Sequence, residues 1–200
     1  MRVSSAPFGG ILVETARGNV AVNGGGELAE LDGFYLAEGR PVPAAIVLTT
    51  EHLHRSNGVE EFADAHGIPL VGPLLALAYL HSHSPKRWEV IPPRRLAING
   101  IGLELFHIRY DSLDPVALTV SSAGETLGVV PDGRLTERDT DALERLKSCQ
   151  KIFFGNKLDT LPEGPRLLKL RCRGFYNTSE ELAELFRDYR GEMILDPNCR

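Results

Sequence analysis

Short apolar runs alternate with amphipathic segments along the chain, in the order expected of an α/β protein. Residues 10–14 and 20–22 are apolar strands on either side of the turn at 17–19, so they predict a β-hairpin. Residues 27–36 follow as a short helix. The continuous apolar run at 44–48 is typical of a buried strand.

A βαβ unit comes next. Asn57 is placed to cap a helix whose apolar face holds Val59, Phe62 and Ala63, and Gly67 is placed to end it. A strand at 68–71 follows, and parallel strands joined in this way need both faces of their sheet covered.

The middle of the chain repeats this order with different signals. Residues 73–80 predict a buried helix, and residues 85–95 predict a basic, proline-rich loop. Strands are then predicted at 103–109, 116–120, 126–130, 151–154 and 193–195. Arg166–Arg173 also alternates in part.

Two further helices have start signals. Thr136 with Asp139 predicts the first N-terminus, and Thr178 with Glu181 forms a capping box for the second. The apolar stripe of the last helix contains Leu182, Leu185, Phe186 and Tyr189, with Gly191 as its stop. We expect one domain over residues 1–200. Two β-rich halves, each followed by βα elements, could pack through their sheets as an αββα sandwich, but the periodicity alone supports only the α/β class.

Composition narrows the class of protein. The 200 residues are 42% hydrophobic and 24% charged, as in a globular domain, and the net charge of −5 disfavours non-specific binding to nucleic acid or membrane. Cys149, Cys172 and Cys199 are widely spaced, which is typical of a reduced protein. The apolar run near the N-terminus is too short for a secretory signal, so we expect a cytoplasmic location.

The segment whose residues indicate a functional site lies at residues 49–58, between a buried strand and a helix. Such junctions are where α/β proteins build ligand sites. His52 and His54 stand two positions apart there, so they either chelate one ion or hydrogen-bond locally within the loop.

This segment resembles the Thr-His-x-His-x-Asp-His-x-x-Gly signature of the metallo-β-lactamase superfamily, in particular its small bacterial branch related to YycJ and PhnP. The opening hairpin at 10–25 is also similar to that branch. So are four later segments, at 106–115, 127–133, 153–159 and 174–185. The resemblance implies the αββα sandwich of that superfamily and a two-metal hydrolytic centre.

Carried over position by position, the resemblance implies a damaged signature. The ligand positions kept are His52 and Asp132, whereas the other positions have changed. Histidines of the pattern fall on Thr50, Arg55, Tyr110, Phe175 and Asp196, its metal-binding Asp falls on His54, and its structural Asp falls on Asn23.

A second metal beside Arg55 is disfavoured on physical grounds. A guanidinium about 4 Å from a dication is repelled by roughly 8 kcal/mol at an effective dielectric near 20. That is a large part of the roughly 10–16 kcal/mol that binds a structural zinc. We therefore favour an ion-free arrangement in which Arg55 pairs with Asp132. The alternative is one zinc or other divalent transition-metal ion held by His52, His54, Asp132 and Asp196.

The sequence predicts a catalytically degenerate metallo-β-lactamase-fold protein that acts as a binding or regulatory module and needs no cofactor. Its partner would be a protein or a small anionic ligand bound near His52, His54, Arg55, Tyr110 and Asp132, and a homo-oligomer is a further option. The alternative function is a mononuclear metal-dependent hydrolase of phosphodiester bonds. The basic stretch Lys86, Arg87, Arg94 and Arg95 could contact phosphates, but a solvated loop is the favoured interpretation.

Overall fold

Two six-stranded sheets face each other across an apolar core in a computed structural model that describes residues 1–37, 39–52, 58–78, 80, 86–159 and 172–195. The first sheet contains, in spatial order, β1 (Arg2–Ala6), β2 (Gly10–Thr15), β3 (Gly18–Val22), β4 (Ala45–Val47), β5 (Leu70–Gly72) and β6 (Arg87–Glu89). The second contains β7 (Arg94–Ile98), β8 (Ile101–His107), β9 (Val116–Ser122), β10 (Glu125–Val130), β11 (Lys151–Phe154) and β12 (Glu192–Leu195).

Each sheet combines an antiparallel and a parallel part. Strands β1 to β3 are antiparallel, and β3 to β6 are parallel. Likewise β7 to β10 are antiparallel and β10 to β12 are parallel. The predicted opening hairpin and the predicted parallel βαβ unit are both confirmed.

Side chains alternate between the central core and the helical layers. In β2, Ile11 and Val13 belong to the core between the sheets, whereas Leu12 packs with the helices outside. In β8, Leu105 lies in the central core and Phe106 in the outer layer of the second sheet. Because both faces of each sheet are covered, the architecture is the predicted αββα sandwich.

The helices lie on the outer faces. They are α1 (Leu28–Asp32) with a π turn at Gly33–Ala37, α2 (Val59–His66), α3 (Leu74–Ala78), α4 (Thr140–Lys147) and α5 (Ser179–Leu185). The predicted capping box of α5 is confirmed, since the Thr178 side chain accepts from the Glu181 amide.

Three helix boundaries differ from the sequence prediction. Asn57 lies outside the described residues, and the N-cap of α2 is Gly58. Helix α4 begins at Thr140 rather than after Thr136, because the Asp139 carboxylate accepts from both the amide and the hydroxyl of Thr136 over 2.7 Å and holds a non-helical loop. Helix α5 ends at Leu185, before Tyr189 and the predicted stop at Gly191.

Three edge strands, β1, β6 and β7, were not predicted. Residues 85–95, expected to be a loop, contain β6 and the start of β7, while β1 lay in a segment with no strand prediction. Strand β1 is mostly exposed and β6 pairs through its backbone with β5, so neither needs the apolar alternation by which strands are found in a sequence.

Candidate functional site

The candidate site lies at one edge of the sandwich, where the carboxyl ends of several strands meet. Strands β3 and β4 run parallel in the first sheet. In the second, β8 and β10 both oppose β9 and so run in the same direction, with β11 parallel to β10. The Val116 amide donates to the Thr49 carbonyl over 3.0 Å and joins the two sheets at this edge. Segments that follow these strands therefore converge, as ligand-binding loops of α/β proteins do.

Asn23 fixes the start of the loop that carries His52. Its backbone has a φ of 56°, its amide donates to the Val47 carbonyl over 2.8 Å, and its side-chain Oδ1 accepts from the Thr49 amide over 3.0 Å. Its Nδ2 donates to Thr49 Oγ1 over 2.9 Å. These bonds tie the end of β3 to the end of β4, so this loop leaves the sheet at a defined point.

The far end of the same loop is fixed by close backbone contact. A Cβ added at Gly58 would lie 1.8 Å from the Gly26 carbonyl oxygen, and the φ of Gly58 is 72°. Only glycine fits there without moving the backbone. The 23–26 turn therefore holds both ends of the 49–58 loop.

Glu51 joins this loop to the segment between β8 and β9. Its carboxylate accepts from the Ser112 hydroxyl and, over 2.9 Å, from the Leu113 amide. Burial acts to raise the pKa of the Glu51 carboxyl, but these two hydrogen bonds and the nearby His52 together lower it. The ionised form is thus the one that the structure stabilises.

His52, Tyr110 and Tyr176 form a row of rings across the edge. The His52 and Tyr110 ring centroids are 5.5 Å apart at an interplanar angle of 85°. The Tyr110 and Tyr176 rings are also 5.5 Å apart, and their hydroxyls are hydrogen-bonded at 2.8 Å. Tyr110, which the resemblance places where the superfamily has a histidine ligand, is therefore engaged with another phenol.

Asp132 lies in the adjoining loop, after β10. It is only 3% exposed, and its Oδ1 accepts from Asn156 Nδ2 over 2.5 Å. The loops after β10 and β11 are also joined by their backbones, because the Asn156 amide donates to the Pro131 carbonyl over 3.0 Å. A Cβ at Gly155 would lie 2.3 Å from that same carbonyl oxygen, so this close approach requires glycine.

The donors among the described residues at this edge do not make up a two-metal centre. Each zinc needs about four N, O or S ligands in close range. Thr50, at the first histidine position, is 2% exposed, and its hydroxyl has no hydrogen-bond partner among the residues described here. Neutral hydroxyls at Thr50 and Tyr110 are poor substitutes for imidazole. Within the described ranges, no group of three or more His, Cys, Asp or Glu side chains is placed to hold a metal ion.

The predicted site residues divide into two sets. His52 and Tyr110 are in contact, and Asp132 lies at the same edge. His54, Arg55 and Asp196 lie outside the described residues, so the proposed pairing of Arg55 with Asp132 stays a prediction.

Sequence analysis did not single out Asn156, Tyr176 or the buried Lys157. Lys157 is 2% exposed, and its Nζ lies 3.4 Å from the Gly155 carbonyl oxygen. All three lie in segments that resemble the superfamily, but at positions where the resemblance gave no ligand. The sequence feature that could have found them is their position, just after a predicted strand or just before a predicted helix.

The basic stretch at residues 86–95 is mostly engaged within the fold. Arg87 pairs with Glu60 of α2, Lys86 donates to the Gly67 carbonyl, and Arg95 pairs with Glu104 over 2.9 Å. These cations stabilise the edge of the first sheet and the β7–β8 hairpin.

Comparison with known proteins identifies the fold. No protein-family model and no curated protein sequence matches the chain. Solved structures do match it, and its architecture agrees with theirs: the chain has the metallo-β-lactamase fold.

Three of these structures show the extent of the similarity. The metallo-β-lactamase-fold protein YhfI from Bacillus subtilis is 14% identical with a TM-score of 0.69, over 94% of this chain and 78% of that one. A diphosphatase of the PhnP family is 13% identical with a TM-score of 0.65, over 94% and 71%. Zinc-bound PqqB from Methylobacterium extorquens is 16% identical with a TM-score of 0.57, over 84% and 65%. Among the described residues, no helix has the length and apolar character needed to cross a membrane.

Proposed function

We propose that this chain uses the metallo-β-lactamase fold to bind an anionic ligand, and that it does not carry out two-metal hydrolysis. The observation that carries the proposal is the hydrogen bond of 2.8 Å between the hydroxyls of Tyr110 and Tyr176. Tyr110 stands at a position where the resemblance places a histidine ligand, and this bond engages its hydroxyl.

A phenol must meet two conditions to bind a metal. A tyrosine ligates well only as phenolate, and free phenol loses its proton near about pH 10. Ligation by Tyr110 would also require its bond to Tyr176 to be exchanged for a metal bond. Loss of imidazole at both Thr50 and Tyr110 lowers the number of strong donors on each side of the former centre.

The anionic character of the ligand is supported by two considerations. The resemblance places Arg55, which is permanently protonated, at a histidine position of the metal-binding signature, where its charge would attract an anion in place of a metal ion. A structural neighbour is a PhnP-family diphosphatase, so phosphate-bearing molecules are the ligand class we propose. We also propose that the protein works in the cytoplasm, where its cysteines would stay reduced.

The test is metal analysis together with an activity assay. Protein purified without chelators would be analysed for zinc, iron and manganese, and then assayed on bis(p-nitrophenyl) phosphate with each metal added. We expect far less than one equivalent of metal and no turnover above that of the His52→Ala variant. Two bound equivalents, or turnover abolished by His52→Ala, would overturn the proposal.

One observation favours a second candidate, a mononuclear hydrolase. His52 and Asp132 are both kept at this edge, and a single ion with an open position can activate water. The same experiment separates the two functions. One equivalent of metal, together with turnover that needs both His52 and Asp132, is the result that identifies the hydrolase.

A further inference from the structure

A basic pocket lies beside the Tyr110–Tyr176 pair, on the side of the site that faces α5. Its cavity volume is about 560 Å³. The described residues that line it are Arg109, Arg134, Leu158, Arg173, Gly174, Thr178 and Glu181. Arg109 directly precedes Tyr110 in the sequence, so the pocket adjoins the row of rings.

Arg134 is the fixed member of the three arginines. Its backbone amide donates to the Arg109 carbonyl over 2.7 Å. Its guanidinium donates to the Tyr176 carbonyl over 3.1 Å and to the Glu181 carboxylate over 2.8 Å, and it also donates to the Arg173 carbonyl. One side chain thus holds together the three segments that form the walls of the pocket.

Arg109 and Arg173 are exposed, and in the part of the chain that the structure describes neither guanidinium has a hydrogen bond or an ion pair. Among the described residues, three guanidinium groups line the pocket together with one carboxylate, that of Glu181, so this part of the lining carries two excess positive charges. This excess stands out in a chain whose net charge is −5. Like charges placed together raise the local potential and attract a compact anion.

The neighbouring groove limits the shape of that anion. It has a volume of about 810 Å³ and shares Arg109, Arg134 and Glu181 with the basic pocket. Its other charged lining residues are one arginine, Arg138, and three glutamates, Glu137, Glu180 and Glu184, so carboxylates outnumber guanidinium groups among the described residues there. These carboxylates repel a long polyanion that runs on from the pocket. The charge pattern therefore favours a single compact anionic group over a nucleic-acid strand.

We propose that Arg109, Arg134 and Arg173 form a binding pocket for the phosphoryl group of a small molecule. Guanidinium groups match the geometry of phosphoryl oxygens, because two N–H groups can donate in parallel to two oxygens. Arg134 holds the walls of the pocket together, and the guanidinium groups of Arg109 and Arg173 bind the anion. The proposal rests on the proposed binding function and adds to it the residues that bind the phosphoryl group and their place in the fold.

The test is calorimetric titration of the metal-free chain with pyrophosphate and with inorganic phosphate at low ionic strength. We expect saturable binding of pyrophosphate, weakened about tenfold or more by Arg109→Ala and by Arg173→Ala, since each removes a charge-assisted hydrogen bond. Arg94→Ala is the matched control. Arg94 is exposed on β7 and likewise has no ion pair in the described part of the chain, and its loss should change the affinity by less than about twofold.

Other outcomes would overturn the pocket. These are no binding by the wild-type chain, equal weakening by Arg94→Ala, binding of succinate as tight as that of pyrophosphate, or tighter binding of a single-stranded oligonucleotide.

The result of this titration is independent of the result of the metal analysis. Uptake of two metal ions by a chain that binds pyrophosphate through Arg109 and Arg173 contradicts the proposed function alone, whereas a metal-free chain that binds no pyrophosphate contradicts the pocket alone.

Discussion

The hydroxyl of Tyr110 lies 2.8 Å from the hydroxyl of Tyr176, and the two rings meet edge to face. Tyr110 follows β8 and Tyr176 precedes α5, so the bond joins two segments that are 66 residues apart in sequence. It holds the segment before α5 against the edge where the strand ends converge.

A double-mutant cycle tests this bond. Tyr110→Phe and Tyr176→Phe should each lower the free energy of unfolding by about 1 kcal/mol, because the rings stay but the hydrogen bond is lost. In urea denaturation, the double variant should lose clearly less unfolding free energy than the sum of the losses in the two single variants. The control pair is Tyr110→Phe with Tyr189→Phe, whose hydroxyl donates to the Cys149 carbonyl. The unfolding free energies lost by the two single variants of this control pair should add within about 0.5 kcal/mol. Additive effects in the Tyr110–Tyr176 pair would contradict the coupling.

Asn23→Ala should be strongly destabilising. Asn23 has a φ of 56°, and Ala there would leave the buried Thr49 amide without its acceptor. We expect a loss of about 2–4 kcal/mol, of which backbone strain is about 1. Asn99→Ala provides the control, because Asn99 has a φ of 52° but makes no side-chain hydrogen bond within the described residues. Equal losses for the two variants in urea denaturation would show that the Thr49 bonds contribute nothing.

Asn177→Ala should loosen the attachment of α5 to the loop after β10. Asn177 is 4% exposed, and its side chain accepts from the Leu135 amide over 2.8 Å and donates to the Leu135 carbonyl over 2.9 Å. Two buried backbone groups would lose their partners, so we expect a cost of about 2–3 kcal/mol by thermal or urea denaturation. Asn19→Ala is the matched comparison. Asn19 is 5% exposed, and its side chain donates to one group among the described residues, the Pro41 carbonyl, so its loss should cost about half as much. A smaller cost at Asn177 than at Asn19 would be evidence against the attachment.

The apolar periods predicted the α/β class, because they match strands and helices with both sheet faces covered, and the resemblance to the superfamily selected the sandwich. The runs at 44–48 and 126–130 read as strands since their side chains are buried in the core. Edge strand β6 lacks that signal because backbone hydrogen bonds to β5 hold it. At the site, residue identities predicted His52, Tyr110 and Asp132 through resemblance. The roles of Tyr176, Asn156 and the three pocket arginines depend on contacts between distant segments, and single-sequence patterns do not contain those contacts.

Glu51 should make stability depend on pH. The pKa of the Glu51 carboxyl is lower in the folded protein than the value of about 4.5 in the unfolded chain. Its ionised form therefore stabilises the fold at pH values above the unfolded pKa. This contribution is lost as the pH falls through the folded pKa. Glu51→Gln should therefore cost about 1 kcal/mol at neutral pH, after allowance for solvent screening, and the difference from wild type should shrink below about pH 4. Urea midpoints measured across this range give the answer, with the exposed Glu137→Gln as control. A difference that grows towards acid pH would have the wrong sign.

The central claim, that hydroxyls and a guanidinium stand where imidazoles would bind two metal ions, is tested most directly by zinc titration. Wild-type protein would be titrated beside a variant that restores four metal-binding positions of the superfamily pattern, with Thr50→His, His54→Asp, Arg55→His and Tyr110→His. We predict that the restored variant takes up about two equivalents of zinc with affinity typical of protein sites, and that the wild-type chain shows no such uptake. Tight binding of two equivalents by the wild-type chain, lost in His52→Ala, would contradict the account.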